Sequence, residues 1–501
     1  MSPLGKNILI NFLGRTWSAF LGVVLIPIHI KFIGIEAYGL VGFFATLSSV
    51  FGILDLGIGS TINRELARRS VNMEYNSQRD LVRSLEIIYW AIAIIAGFIV
   101  FLAAPGIAKN WIIAKDLPMD AVTNAVKLMG IGIAIQFPTS LYTGGLMGLQ
   151  RQVLVNNILL ITGTLKGLGT ILILRFVSPT VESFFIWQII SGSIAIIFLC
   201  FSTWRALPVS SLPAKFNKSI IKEIWKYAAA LSMNSLIGVM LSQLDKIILS
   251  KLLPLSAFAY YSIASTIGSV IWLIQIPINN AVFPDFVQIH ESGDKKKAID
   301  LYHKSSQILS TILIPISSIL IFFSGPILYI WLRDADIVKN SHLLVSLIIF
   351  GLLLNAIASI PSSCASAFGW PQLVAYTNMF QAILIAPLMF IFIHLFEVTG
   401  AAIVYILMNS TYVVFLAPLL IKRYFKGQSY QWFIFDVGIP VLISFSLCFL
   451  SSKLMPQELT LPSTIIWITI TGFIVLIATG FSLPAIRNYI FSFNIMRFTK
   501  I

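Results

Sequence analysis

Five stretches of this sequence that are otherwise hydrocarbon carry polar and charged side chains at helical spacing. Near the start, Asn7, Asn11, Arg15 and Ser18 fall at i, i+4, i+8 and i+11, one face of a helix. Ser48, Gly52, Asp55 and Gly59 form a second such face, and Thr162, Lys166 and Gly169 a third. Ser235, Gly238, Ser242 and Asp245 make a fourth, with Lys246 beside it, and Asn355, Ser359, Ser362 and Ser366 a fifth. Ionisable groups are costly in hydrocarbon, so they face a wet interior or one another and mark routes for ions or polar cargo. The candidate cavity residues are therefore Asn7, Asn11, Arg15, Asp55, Lys166, Asp245, Lys246, Asn355 and Ser359. Small and hydroxyl residues also serve as plain contacts where helices pack. For the uncharged positions both readings stand, and Lys246 either pairs with Asp245 or snorkels.

Covalent chemistry has no comparable signal. The sequence holds no GxxxxGKS/T phosphate loop, no HExxH and no GxSxG. His29, His290, His303, His342 and His394 share no spacing and lie at span ends or in loops, which reads as interfacial placement rather than a ligand or base set. Cys200, Cys364 and Cys448 are odd in number, lack CxxC spacing and fall in apolar stretches. That argues against a disulfide framework or a zinc site and for small buried hydrophobes. No catalytic residue, metal or cofactor is expected.

The elements that must carry these faces follow from composition. The chain is 57% apolar and only 11% charged, with a mean hydropathy of +0.90, whereas a soluble protein is about a quarter charged. A bilayer core of roughly 30 Å takes about 20 apolar residues per helix. On that ruler fourteen spans fall near 8–31, 37–60, 84–104, 122–144, 154–174, 182–203, 225–249, 257–282, 305–331, 342–364, 372–393, 400–421, 432–452 and 464–484. The fold class expected is an all-α polytopic membrane protein. No cleavable signal peptide is expected, since the first apolar stretch carries Asn11, Arg15 and His29 with no small-residue cleavage site after it.

The net charge of +14 is spread over short loops rather than gathered in one domain, which excludes nucleic acid and matches a membrane-orientation bias. With the first residues inside, the inner segments hold 22 Lys and Arg and the outer ones 8. Both termini are then expected in the cytoplasm. The largest outer loop, about 105–121, has no room for a folded domain, and the inner loops have none for a nucleotide-binding one. After the eighth span, the inner loop at 283–304 opens on Phe283-Pro284-Asp285-Phe286 and leads into a helical stretch with Lys295, Lys296 and Lys297.

Sliding the chain by 220 residues sets Lys31 on Lys251, Ala37 on Ala257, Thr46 on Thr266, Ser49-Val50 on Ser269-Val270 and Glu65 on Asp285. An even number of spans separates the copies, so the halves would be parallel repeats. The division expected is one six-helix bundle over 1–210, a second over 211–424, and two added helices with a tail over 425–501.

The opening spans, through LGVVLIPIHIKFIGIEAYGLVGFFATLSSVFGILDLGIGSTINRELARR, resemble the start of polysaccharide flippases. These are the O-antigen (Wzx-type) translocases of the multidrug/oligosaccharidyl-lipid/polysaccharide exporter superfamily. The residues that carry the resemblance are Gly34, Tyr38-Gly39, Asp55-Leu56-Gly57 and Arg64, then Gln243-Leu244-Asp245-Lys246 and the loop from Pro284 to Tyr302. The resemblance implies two six-helix bundles around a central cavity, with two C-terminal helices added. It implies transfer of an undecaprenyl-diphosphate-linked oligosaccharide from the cytoplasmic to the periplasmic face of a bacterial inner membrane by alternating access. Membrane lipids, a polysaccharide polymerase and chain-length proteins would be its partners, and a proton or sodium gradient its drive. Arg15 matches a lumenal arginine of related flippases and Lys166 would add to that charge, suiting a desolvated diphosphate. Asp55 and Asp245 would be ion-coupling carboxylates or partners of Arg15 and Lys246.

Three other readings compete. A multidrug or cation exporter of the same superfamily would normally have twelve spans and acid-rich sites, and Arg15 speaks against it. A membrane polysaccharide polymerase or ligase would need an outer domain. A lipid II-type flippase shares the expected fold. The orientation is directly testable: reporter fusions after residue 203 and after residue 501 should both read cytoplasmic, and a periplasmic signal from either would remove the frame on which the repeat depends.

Overall fold

The computed structural model describes residues 17, 20–210, 212–456, 459–484 and 487, with backbone only at 225–237 and 239–241. Its regular elements are helices, apart from one isolated bridge between Ile113 and Pro254. Eleven of the described helices are long and apolar enough to cross a membrane, so the chain is an all-α multi-pass membrane protein. It divides into two compact units, Met1–Ala259 and Tyr260–Ile501.

In the first unit, α1 (Ile26–Ile33) and α2 (Ile35–Phe51) meet at Gly34, whose φ of 82° breaks the helix. After α2 the chain tightens into a 3-10 turn, Gly52–Asp55, and then turns left-handed at Leu56 and Gly57 (φ 47° and 67°) before α3 (Ile58–Val71). The second span therefore ends at Asp55. The continuous face from Ser48 to Gly59 expected from spacing is corrected here, because two successive positive φ values cannot continue a right-handed helix.

There follow α4 (Tyr75–Asn110), α5 (Met119–Gln136), α6 (Thr139–Gly148), α7 (Gln152–Phe176), α8 (Val181–Ala206) and α9 (Lys218–Leu252). The loop after α4 is pinned by one buried carboxylate: Glu36 accepts the backbone N–H groups of Lys115, Asp116 and Leu117 at 2.6, 2.7 and 2.8 Å. Expected span seven lies in α9. That helix packs on α2, α3 and α4 of the first unit, and the contact division accordingly falls at 259/260 while the repeat frame sets it at 210/211. Its first turns are fastened by an ion network in which Arg68 meets Glu223 at 2.7 Å and Glu65 at 2.7 Å. The Arg69 guanidinium, nearly fully buried, lies 3.5 Å from Glu223.

The second unit contains most of α10 (Leu255–Ser292), then α11 (Lys295–Phe322), α12 (Ser324–Leu332), α13 (Ala335–Ile357), α14 (Ser359–Ala367) and α15 (Pro371–Thr411). After a π-helical turn at Tyr412–Leu416 come α16 (Ala417–Tyr424), a second π-helical stretch at Gln431–Gly438, α17 (Ile439–Leu454) and α18 (Leu461–Ser482). The expected loop at 283–304 is helical on both sides of a turn at Gly293 (φ 69°) and Asp294. Asp294 caps α11 by accepting the Lys297 N–H at 3.0 Å. The hydrogen bonds and charge of Lys297 hold this exposed carboxyl below the ordinary range.

Residues 371–424 form a single helical run by hydrogen bonding, yet Glu397 (φ 51°, ψ −134°) folds it back on itself. Gln381 donates to the Met408 carbonyl at 2.9 Å and to Thr411 at 2.7 Å, and Tyr412 donates to Asn378 at 2.6 Å. Those partners lie symmetrically about the bend, so the run is a hairpin covering expected spans eleven and twelve.

Close helix crossings rest on missing side chains. A Cβ on Gly144 of α6 would stand 2.2 Å from the Gly59 carbonyl oxygen of α3, and one on Gly97 of α4 2.6 Å from that of Gly130 on α5. Small residues let helix backbones approach where hydrocarbon supplies no other adhesion. Gly144→Val should destabilise the first unit by about 1–3 kcal/mol, the scale of overpacking, seen as a lower midpoint of thermal unfolding in detergent. A Gly106→Ala control, with open space around its Cβ, should leave that midpoint in place.

Candidate functional site

The left-handed turn after Asp55 sets that carboxylate among donors from three elements. Tyr89 of α4, fully buried, donates a short hydrogen bond to Oδ1, and Ser140 of α6 donates to the same oxygen at 2.6 Å. Gly59 N–H approaches Oδ2 at 3.4 Å. The partners stand 34 and 85 residues away in sequence, so no local pattern names them; only their placement in apolar spans could. Beneath them Ile58, Ile62 and Leu66 of α3 pack with Leu81, Leu85 and Tyr89 of α4 in one apolar core. That core fixes the Tyr89 ring and aims its hydroxyl.

One turn before Tyr89 on α4, Glu86 is a second buried carboxylate. It accepts Tyr142 OH and Arg83 Nη1 at 2.7 Å each and Trp204 Nε1 at 3.2 Å. Both Asp55 and Glu86 are thus carboxylates supplied with donors inside the first unit. An anion so satisfied holds helices together and does not call for a mobile cation.

Lys166 differs. It is half-buried on α7, and among the described residues its ammonium has no carboxylate within ion-pair distance. Its backbone carbonyl is occupied instead, accepting Thr170 Oγ1 at 2.6 Å and Trp187 Nε1 at 3.1 Å. Gly169 gives the Trp187 ring its space, since a Cβ there would stand 2.1 Å from Cζ2. Thr162 returns its hydroxyl to the Ile158 carbonyl. Of that expected face, Thr162 and Gly169 are packing positions and Lys166 alone keeps an open charge.

The remaining expected residues separate. Asn7, Asn11, Arg15 and Ser18 lie outside the described residues, as does the Ser235 side chain. Asp245 is buried in α9 and partnered, with Lys246 half-buried next to it. In the second unit Asn355 donates to Asn409 Oδ1 at 3.0 Å, and Ser359 returns its hydroxyl to the Ala356 carbonyl at 2.7 Å. Asp55 and Lys166 form no ion pair with each other.

The interfacial reading of the histidines is corrected at His303. It is buried on α11 with Nδ1 against Asp436 and Nε2 3.1 Å from Gln428 Oε1, while Gln307 donates to the other Asp436 oxygen at 2.8 Å. Asp436 is fully buried in the π-helical stretch, 133 residues further on. The pair fastens the start of α17 to α11. His290 stacks on the Phe368 ring at 4.4 Å.

The sequence pattern of polysaccharide biosynthesis proteins matches residues 4–290, more than half of the chain. The chain belongs to that family. A second pattern, MatE, matches residues 230–391. A putative O-antigen transporter of Shigella flexneri is 22% identical over 400 residues, covering 79% of this chain and 93% of that protein. Among solved structures, the lipid II flippase MurJ in an inward closed conformation superposes with a TM-score of 0.67 at 14% identity, covering 95% of this chain and 98% of its own. A multidrug resistance MATE family transporter of the MOP superfamily, inward-facing, gives 0.66 at 14% identity, covering 81% and 94%. The resemblance carried by Gly34, Tyr38-Gly39, Asp55-Leu56-Gly57 and Arg64 is borne out, and the family shares the fold of these transporters.

Within this family member, the donors around Asp55 make a specific energetic demand. A hydrogen bond to a charged group contributes about 1.5–3 kcal/mol. A double-mutant cycle between Tyr89→Phe and Asp55→Asn, read by thermal unfolding in detergent, should return a coupling of about 0.5–3 kcal/mol. Strictly additive losses would show that the hydroxyl and the carboxylate act independently.

Proposed function

We propose that this protein flips an undecaprenyl-diphosphate-linked oligosaccharide from the cytoplasmic to the periplasmic face of a bacterial inner membrane, for O-antigen or other surface polysaccharide synthesis. The observation that carries the reading is Lys166, a cation inside a membrane-spanning helix with no carboxylate to neutralise it among the described residues. A diphosphate leaving water needs a paired positive group, and an ammonium held in a low-dielectric interior needs an anion. Each supplies what the other lacks. The kinship with a putative O-antigen transporter and the shared fold with a lipid II flippase support the same substrate class.

In this reading fourteen spans form bundles over 1–210 and 211–424, which alternate access to a central cavity, and residues 425–501 add two helices. Both termini are cytoplasmic. Arg15 joins Lys166 in the cationic lining. Asp245 is the carboxylate available for coupling to a proton or sodium gradient, and Asp55, satisfied by its donors, is a structural joint. Polymerase and chain-length proteins would take the product. No step needs a cofactor or a covalent intermediate, so the protein is not an enzyme in this scheme.

A multidrug exporter is the second reading, favoured by the MatE pattern over 230–391. The two predict opposite cargo charge. Lys166→Met should weaken binding of undecaprenyl diphosphate to the protein in nanodiscs about tenfold or more, matching the roughly 1.5–3 kcal/mol of a charge-assisted hydrogen bond, with Lys166→Arg retaining most of it. Surface polysaccharide should fall in parallel at unchanged protein level. Unaltered lipid binding by Lys166→Met, together with efflux of cationic dyes by the wild type, would favour the exporter instead.

A further inference from the structure

The described part of the second unit carries uncharged amides on facing helices. Helices α10 and α13–α14 run side by side: a Cβ on Gly268 would meet Leu352, and Ser363 donates to Asn279 Oδ1 at 3.2 Å. The offset is 84 residues at both contacts, so the helices are parallel and in constant register. Gln275 is thereby level with Ser359, one turn from the Asn279–Ser363 contact, and Asn355 lies one turn before Ser359. Gln275 and Asn279 on one helix, with Asn355, Ser359 and Ser363 on the other, form a polar seam at i, i+4 spacing.

The amides of this unit divide by how they use their two ends. Gln381 gives both of its N–H groups to the hairpin partner, and Asn409 donates to Tyr405 while accepting from Asn355. Those two fasten helices. Asn279 accepts from Ser363 but its NH₂ takes no partner among the described residues, and Asn355 uses one N–H while its carbonyl oxygen takes none. Gln275, about nine-tenths buried, has an Oε1 with no partner among the described residues. Open amide valences are not sustained against hydrocarbon. Asn279, Asn355 and Ser363 are only half-buried, so the seam faces a polar occupant.

An amide presents a donor and an acceptor side by side, which matches the vicinal hydroxyls of a sugar, whereas a bare phosphate uses only the donor half and gains nothing from the open carbonyl oxygens of Gln275 and Asn355. We infer that Gln275, Asn279 and Asn355 form a subsite for the neutral sugar of the lipid-linked substrate. The inference rests on the proposed function and adds the part of the substrate that this seam reads.

The test compares two ligands on the full chain in nanodiscs: undecaprenyl diphosphate without sugar, and the lipid-linked oligosaccharide extracted from cells that express the protein. Gln275→Met, Asn279→Leu and Asn355→Leu should each weaken the sugar-bearing lipid about three- to tenfold, the range of one neutral hydrogen bond, and leave the bare lipid unchanged. Asn355→Gln, which keeps the amide, should recover part of the loss. Asn409→Leu should lower thermal stability without selecting between the ligands. Equal weakening of both lipids by the three variants, or no weakening, would overturn the subsite. A wild type that binds both lipids equally would also remove it while sparing the flippase reading, whereas binding of neither would remove that reading itself.

Discussion

In hydrocarbon a polar group has no water to turn to, and each one must find its partner within the protein. Among the described residues the buried carboxylates illustrate that constraint. Glu36 satisfies three backbone N–H groups of a loop, Asp55 gathers Tyr89 and Ser140, Glu86 gathers Tyr142, Trp204 and Arg83, and Asp436 gathers His303 and Gln307. Four carboxylates are thereby converted from liabilities into joints between helices. Against that background a group left open is informative; Lys166 and Gln275 are two such groups, and Gln78, Tyr302 and Ser317 are others among the described residues.

The same constraint explains what could be read in advance. Hydropathy alone marked the eleven long apolar helices found among the described residues, because the bilayer demands length and apolarity and little else. The hairpin at Glu397 was visible as two apolar runs, 372–393 and 400–421, although backbone hydrogen bonding carries the helix through it. Periodicity picked out Asp55 and Lys166 as charged positions on helical faces. It could not tell that Thr162 and Gly169, on the same face, are occupied by their own helix and by the Trp187 ring.

Partners were the illegible part. Tyr89 and Ser140 are ordinary residues in ordinary spans until folding brings them to Asp55. His303 looked like a loop residue because its pairing with Asp436 depends on a stretch of π-helix, a local widening that no hydrophobic period announces. The break at Leu56 and Gly57 was hidden for a similar reason. Leucine in the left-handed region goes against local preference, and it is held there by tertiary contacts that place Asp55 between α4 and α6.

The Gly59–Gly144 contact bears on how the first unit can move. Backbones that touch without intervening side chains have no cushion to slide upon, and interiors packed this closely transmit displacement rather than absorb it. Helices α3 and α6 are then one lever. Asp55 is joined to that lever through Ser140 and the Gly59 N–H, so its carboxylate is bound to move with those two donors, while Tyr89 reaches it from α4. Flexing is left to segments free of such contacts. Gly34, with open space around its Cβ and a conformation reserved for glycine, lies outside the welded pair.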